Sequence, residues 1–516
     1  MSDLWNLPDS WVWVTMGDVS DIVGGGTPPT TDSASFGGSV PWITPADLSR
    51  HTGKTILRGE RSISERGLES SGARWLPKGA VLFSSRAPIG YVAIASQPLT
   101  TNQGFKSFVP GRGMTSDFVY YWLSSAKRFA EELASGTTFL EISGAKAALI
   151  PLPVAPTAEQ TRIVEKLEEL LSDLDAGVAE LKSAQKKLAQ YRQSLLKSAV
   201  DGSLTAQWRA DAKVGADETA NETGAQLLER ILRERRARWE AKQLAKFKEQ
   251  GKTPPKGWQD KYPEPVRPET ADLPALPEGW VWATIDQLSL EQKYGSSAKT
   301  GAGSDGVPVI RMGNIQDGEL DFRDLKYLPV DHDEFPALFL ADGDLLFNRT
   351  NSPELVGKTA VYRSQVVPCS YASYLIAVRL SESFIPEFAA AYVNSGFGRQ
   401  WIKSVATQQV GQANVNGTKL AALAIPLPPM DEQAEIVRLL QEQGKASFEQ
   451  ATNVEVSLKQ CAAQRKNILK AAFSGQLVPQ DPNDEPVSVL LERIRAERAT
   501  RTAVKPARGR KAKEMV

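Results

Sequence analysis

The chain has 516 residues, 41% hydrophobic and 24% charged, with a formal net charge of zero. This is the composition of a soluble, ordinarily folded protein of about three or four domain-sized units; no apolar run nears the ~18–20 residues of a membrane span, and the N-terminus lacks signal-peptide character. Two cysteines and two histidines exclude a disulfide framework and a Cys-based zinc site, and zero net charge offers no global electrostatic case for nucleic acid. A cytoplasmic location is expected.

Residues 1–150 open with Leu7-Pro8-Asp9-Ser10-Trp11-Val12-Trp13-Val14-Thr15. Short β-type runs follow at Val40–Ile43, Ala80–Phe83 and Tyr91–Ala95, punctuated by turn sequence such as Gly24-Gly25-Gly26-Thr27-Pro28-Pro29. A helix is expected over Asp117–Leu133, capped by Asp117, with Phe118, Tyr121, Trp122 and Phe129 on its apolar face. This is a mixed α and β module.

Residues 151–202 form a rod. Ile150-Pro151-Leu152-Pro153 keeps the approach extended, and the helix is expected to start at Thr157 or Ala158. Ile163, Leu167, Leu170, Leu174, Leu181, Leu188 and Leu195 alternate steps of four and three, with Gly177 and Ala184 completing a thin seam. At about 1.5 Å per residue such a helix is roughly 60 Å long. Residues 203–275 carry a charged helical run, Leu227–Arg236, and then a Pro-rich connector. A solvated helix and a partner-docking helix are equally compatible with that composition.

The chain then starts again. Leu276-Pro277-Glu278-Gly279-Trp280-Val281-Trp282-Ala283-Thr284 repeats the opening, and residues 276–425 form a second module of nearly the same size. Leu340–Phe347 answers Leu76–Phe83. Residues 426–475 repeat the rod. Glu159-Gln160 and Glu432-Gln433 each precede a closing glycine, Gly202 and Gly475, with 42 residues from Gln to Gly in both copies. The second seam is more polar, with Gln443, Ser447, Gln450 and Ser457 at the matching positions. Residues 476–516 repeat the charged helix at Leu490–Arg498 and end in basic sequence, Arg508 to Lys513, expected to be a disordered tail.

Neither rod is stable alone, since a helix gains most of its stability from packing its apolar face. Each is the simplest partner for the other, parallel or antiparallel. Antiparallel pairing suits two similar readers on one long target, whereas a duplicated scaffold that merely spaces two partners is the rival reading.

Catalytic signatures are missing. Gly357-Lys358-Thr359 ends like a phosphate-binding loop but lacks its glycines, and Gly24-Gly25-Gly26 lacks the strand–loop–helix setting of a dinucleotide site. No paired motif surrounds either histidine. The chain reads as a binder.

Together, the Leu-Pro-x-x-Trp openings, the Ile-Pro-Leu-Pro…Glu-Gln starts of the long helices and the Leu-Leu-Lys and Leu-Lys-Ala…Gly ends resemble the specificity subunit of type I restriction–modification systems. Gly343–Asn351 and Gly411-Gln412-Ala413-Asn414 add to the resemblance. It implies an α+β fold: two similar target recognition domains, separated by two long helices that form an antiparallel coiled coil with a pseudo-two-fold repeat. It also implies a non-catalytic chain that reads a bipartite site on double-stranded DNA. The coiled coil would set the spacer and dock two modification (methyltransferase) subunits. S-adenosylmethionine, ATP and magnesium would sit on partners, including restriction (motor/nuclease) subunits, and no cofactor or metal on this chain.

Direct readout needs Arg or Lys for guanine and Asn or Gln for adenine, with phosphate contacts to set register. Between Asp32 and Asp117 the chain holds ten Lys or Arg against four acids, a local basic excess hidden by the net charge. The first module's candidates are Arg50, Arg86 and Lys106, Asn102 and Gln103 as base readers, and Thr27 and Thr44 as phosphate contacts. The second module's are Arg311, Asn314, Asn348, Arg349, Asn351, Lys358, Gln412 and Asn414. Ser84-Ser85-Arg86 stands where the second module has Asn348-Arg349-Thr350, so the two should read different bases.

Overall fold

The computed structural model describes residues 4–503 apart from 87, 137–139, 216–221, 304 and 410. The basic stretch Arg508 to Lys513 lies outside the described residues. The chain divides into two compact units, Met1–Lys182 with Glu455–Val516, and Ser183–Val454.

In the first unit the repeated motifs find each other. Strand Val12–Thr15 pairs antiparallel with Pro151–Val154, placing Trp13 opposite Pro153. A two-stranded ribbon tolerates the two prolines because its outer edge needs no ladder donor. The main sheet has five strands in the order Ser20–Gly24, Lys106–Pro110, Val81–Phe83, Val92–Ala95 and Thr55–Ile56. The last pair is parallel and the others antiparallel. A second sheet joins Ser62–Ile63, Phe36–Ile43 and Thr100–Thr101.

The helix expected over Asp117–Leu133 is two helices, Ser116–Ser125 and Lys127–Leu133, broken at Ala126. Its cap is Thr115, whose hydroxyl accepts from the Phe118 amide, and not Asp117. Asp117 instead meets Lys54, which also pairs with Glu168 of the first long helix.

Both long helices span 44 residues, Thr157–Val200 and Met430–Phe473. In the first unit, Ile163, Leu167 and Leu171 share one core with Ile468, Ala472 and Phe473, and Asp175 pairs with Arg465. Early residues of one helix therefore meet late residues of the other, which is antiparallel packing. The second unit repeats it, with Tyr191 bonded to Gln443 (3.1 Å) and Arg192 to Ser447 (3.3 Å), while Ala199 and Val200 share a core with Ile436 and Val437. Two seam assignments change. Leu171 is buried though the four-three pattern skipped it, because it faces the module as well as the other helix, and Gln450 is exposed.

The Glu-Gln pair that begins each long helix is interior. Trp11 Nε1 donates to Glu159 at 3.0 Å, and Trp280 Nε1 to Glu432 at 2.7 Å. Gln160 accepts from the Thr115 amide and donates to the Ala155 carbonyl; Gln433 accepts from Ile385 and donates to Pro428. Each pair thus satisfies main-chain groups that burial would otherwise leave without partners. The motif is a joint between module and helix.

The second module shows the same plan. Val281–Thr284 pairs with Ala424–Leu427, and the main sheet runs Ser289–Tyr294, Leu375–Leu380, Leu345–Asn348, Thr359–Val361. Gly357-Lys358-Thr359 leads into a strand, not into the helix a phosphate loop requires.

The charged helices are neither solvated spacers nor free docking arms. Helix Gly224–Glu249 buries Leu227 and Ile231 in the second unit's core, with Arg235 paired to Asp286 at 2.9 Å. Gly224 is required there, since a Cβ would fall 2.2 Å from the Leu427 carbonyl. Helix Val487–Ala503 does the same in the first unit through Val487, Leu490 and Ile494. The C-terminal segment therefore completes the unit built by the N-terminal module.

Candidate nucleic-acid interface

The two modules share one backbone frame at the edge of the main sheet. Ser85 N donates to Gly104 O at 2.7 Å and Arg349 N to Tyr374 O at 2.9 Å. Ile142 N donates to Ser85 O and Val415 N to Arg349 O. Gly26 N donates to Thr101 O, and Ser296 N to Tyr371 O; Asn102 N donates to Ile43 O, and Ala372 N to Ile310 O. Ser85 thus corresponds to Arg349, Arg86 to Thr350, Glu141 to Asn414, Asn102 to Ala372 and Thr44 to Arg311. The frame is held by main-chain bonds, which leaves its side chains free to differ.

In the first module the frame gathers Thr27, Thr44, Arg86, Asn102, Gln103 and Lys106. Gly25 and Gly26 pass so close that a Cβ would lie 2.0 Å from the Asn102 carbonyl and 2.1 Å from the Ala73 amide, respectively. This close approach explains the glycine run and sets Thr27 beside the loop carrying Asn102. Arg86 lies in a bridge opposite Glu141, their side chains 3.5 Å apart. Lys106 reaches the Gln103 carbonyl at 3.4 Å. Burial holds its ammonium below the usual lysine range, Glu141 opposes this, and Arg86 adds to it. Gln103 is exposed, and Asn102 accepts from the Gly104 amide, which fixes its loop. Arg50, at the end of helix Pro45–Arg50, pairs with Glu60 at 3.6 Å, both exposed.

In the second module the frame brings Asn348, Arg349 and Asn351 beside the hairpin bearing Gln412 and Asn414. Thr350 pairs with Asn414 and Asn351 with Ala413, and Asn414 donates to the Thr350 hydroxyl at 2.6 Å. Asn351 accepts from the Ser352 amide, Gln412 is exposed, and Lys358 reaches Gln316 at 3.3 Å. Asn348 is fully buried with both amide atoms unpartnered among the described residues. The Arg349 guanidinium lies 4.9 Å from the centre of the Tyr294 ring.

Two candidates are consumed by local structure. The Thr44 hydroxyl donates to Asp47 at 2.6 Å, closing the cap of helix Pro45–Arg50. Asn314 is 3% exposed, accepts from the Arg311 amide and donates to the carbonyls of Asp321 and Asp324, so no edge of it faces outward. The turn needed these polar groups for its own amides. Arg311 itself binds Asp324 at 2.9 Å.

Glu141, Tyr294 and Tyr374 belong to this surface and were not singled out by sequence. Tyr294 and Tyr374 are 46% and 49% exposed; the Tyr294 ring lies against the Arg349 guanidinium, and the Tyr374 carbonyl accepts from the Arg349 amide. The one available signal was the repeat itself: aligning the frames would have placed Glu141 on Asn414. Chemically, the first module offers a guanidinium, an ammonium, a carboxylate and two amides, and the second a guanidinium, an ammonium, two rings and, besides the buried Asn348, three amides. Arg forks match guanine O6 and N7, amides match adenine, and carboxylates accept from the cytosine amino group.

Comparison with known proteins agrees with this duplicated plan. The type I restriction modification DNA specificity domain family matches residues 8–183 and 277–458, well over half of the chain. The MjaIX specificity subunit of Methanocaldococcus jannaschii is 38% identical over 168 residues, covering 32% of this chain and 39% of that protein. The EcoKI specificity subunit of Escherichia coli K12 is 26% identical over 415 residues, 77% of this chain and 75% of that one. A solved chain from work on complex assembly and conformational transition of the type I R-M system has the same fold, with TM-score 0.61 and 17% identity, over 92% of this chain and 100% of that one. The chain belongs to the type I restriction–modification DNA specificity family, as a specificity subunit.

Proposed function

We infer that each module reads one half of a bipartite site on double-stranded DNA, and that the paired long helices set the unread spacer and dock two methyltransferase subunits. The chain has no catalysis of its own in this reading. S-adenosylmethionine, ATP and magnesium belong to the methyltransferase and restriction subunits, and the assembly works in the cytoplasm. The observation that carries the reading is one main-chain frame used twice with different outward chemistry, Arg86 with Glu141 in one module and Arg349 with Thr350 and Asn414 in the other. A spacing scaffold has no use for such divergence on a retained frame. A sequence reader does, because base discrimination resides in side chains while the frame holds register.

The test is to map methylated adenines in cells carrying the assembly and to measure DNA retention by the purified complex. Two short half-sites with a fixed gap are expected, and exchanging residues 1–150 for another module should change one half-site only. Methylation scattered without a bipartite motif would overturn the reading.

A further inference from the structure

The second module holds its central cation differently from the first. Arg86 faces a carboxylate, Glu141, across a bridge. Among the described residues, no carboxylate pairs with Arg349. Its main chain is pinned on both sides, by Tyr374 O and the Val415 amide, and its side chain makes one long contact, Nη1 to Ser373 O at 3.4 Å. Its Nε is buried without a partner among the described residues. Its guanidinium lies over the Tyr294 ring, 4.9 Å from the ring centre.

That ring is itself anchored. Tyr294 ends the strand Ser289–Tyr294, and its hydroxyl accepts from the Gly417 amide at 2.7 Å. A Cβ on Gly417 would lie 2.6 Å from Gln292 Nε2 and 2.9 Å from the Tyr294 oxygen, so any larger residue there would have to displace these two side-chain ends. The first module lacks the device, because the matching strand end is Gly24, opposite Lys106. The register therefore puts a ring where the cation comes from the neighbouring loop, and no side chain where the cation comes from the facing strand.

We propose that Tyr294 is a positioning residue for sequence readout, its ring fixing the plane of the Arg349 guanidinium so that the fork meets one guanine edge in the second half-site. This rests on the reading that Arg349 faces DNA. A guanidinium held against a ring gives up part of its rotamer freedom before binding, and a bidentate contact demands a defined plane.

The experiment uses the complete methyltransferase assembly and duplexes substituted singly at each position of both half-sites, comparing wild type with Tyr294→Phe, Tyr294→Leu and Arg349→Ala. Tyr294→Leu should lose about tenfold of the discrimination at the same base pair that Arg349→Ala relaxes, the scale of a desolvated cation–π contact. Tyr294→Phe should keep it. Adding Tyr294→Leu to Arg349→Ala should cost nothing further. The salt slope should not change, because Tyr294 neutralises no phosphate, and unchanged discrimination at the other half-site shows that the fold is intact. The proposal is overturned if Tyr294→Leu discriminates like wild type or weakens all duplexes equally. If Arg349→Ala leaves discrimination intact in a site-specific complex, Arg349 is not at the interface and the inference falls with it. If wild type shows no site preference, the proposed function fails first.

Discussion

Arg349 presents the fork geometry that pairs with guanine, held by main-chain bonds on both sides. Replacing it with Ala should relax recognition at one base pair of one half-site by about 1–3 kcal/mol, the usual scale of a bidentate contact. Competition binding across single-substituted duplexes checks this, and a uniform loss across duplexes would instead mark a phosphate contact. Glu159 carries a different consequence. Burial pushes its carboxyl above the usual glutamate range, against hydrogen bonds from Trp11 and Gln480. Its folded pKa exceeds the unfolded one, so the folded state binds more protons in between, and this residue's contribution falls as pH rises through that window. Glu159→Gln should flatten that part of the stability curve, and urea midpoints measured from pH 4 to 8 provide the check. An unchanged slope would show that the carboxyl is not desolvated in solution.

At the scale of elements, the charged helices are where chain order and packing part company. Helix Gly224–Glu249 follows the first long helix yet belongs with the second module, and helix Val487–Ala503 closes the core of the first. Leu227→Ala and Leu490→Ala should each cost about 2–5 kcal/mol, as for other buried leucines. Hydrogen exchange should place the losses apart, with Leu227→Ala loosening residues of 183–454 and Leu490→Ala loosening residues 4–182. The reverse pattern, or loosening confined to each helix, would contradict the packing. The helices owe their place to a few apolar side chains on an otherwise polar surface, which is why composition suggested a solvated segment.

For the whole molecule, the proposed role of the long helices as a ruler has a direct test. Inserting four residues into each at matched positions adds about 6 Å of rise. The preferred spacer should change while both half-sites stay the same, as read from the methylated motif. A change in the half-sites would mean the helices do not set the gap.

The sequence by itself determined the duplication, the two helices and the start of the first, because these depend on periodicity and on prolines, glycines and a Glu-Gln pair that act within a few residues. It also offered Arg86, Arg349, Gln412 and Asn414 among its candidate contacts, as polar residues in short loop-like sequence, and their contact with DNA is part of the proposal. Only the tertiary structure decided that Thr44 and Asn314 serve their own turns, because a cap depends on which amides the fold leaves unpaired. Only it decided that Glu141 faces Arg86 across 55 residues and that Tyr294 lies under Arg349. Those pairings arise from strand register, which is fixed by the whole sheet and leaves no local trace in the chain.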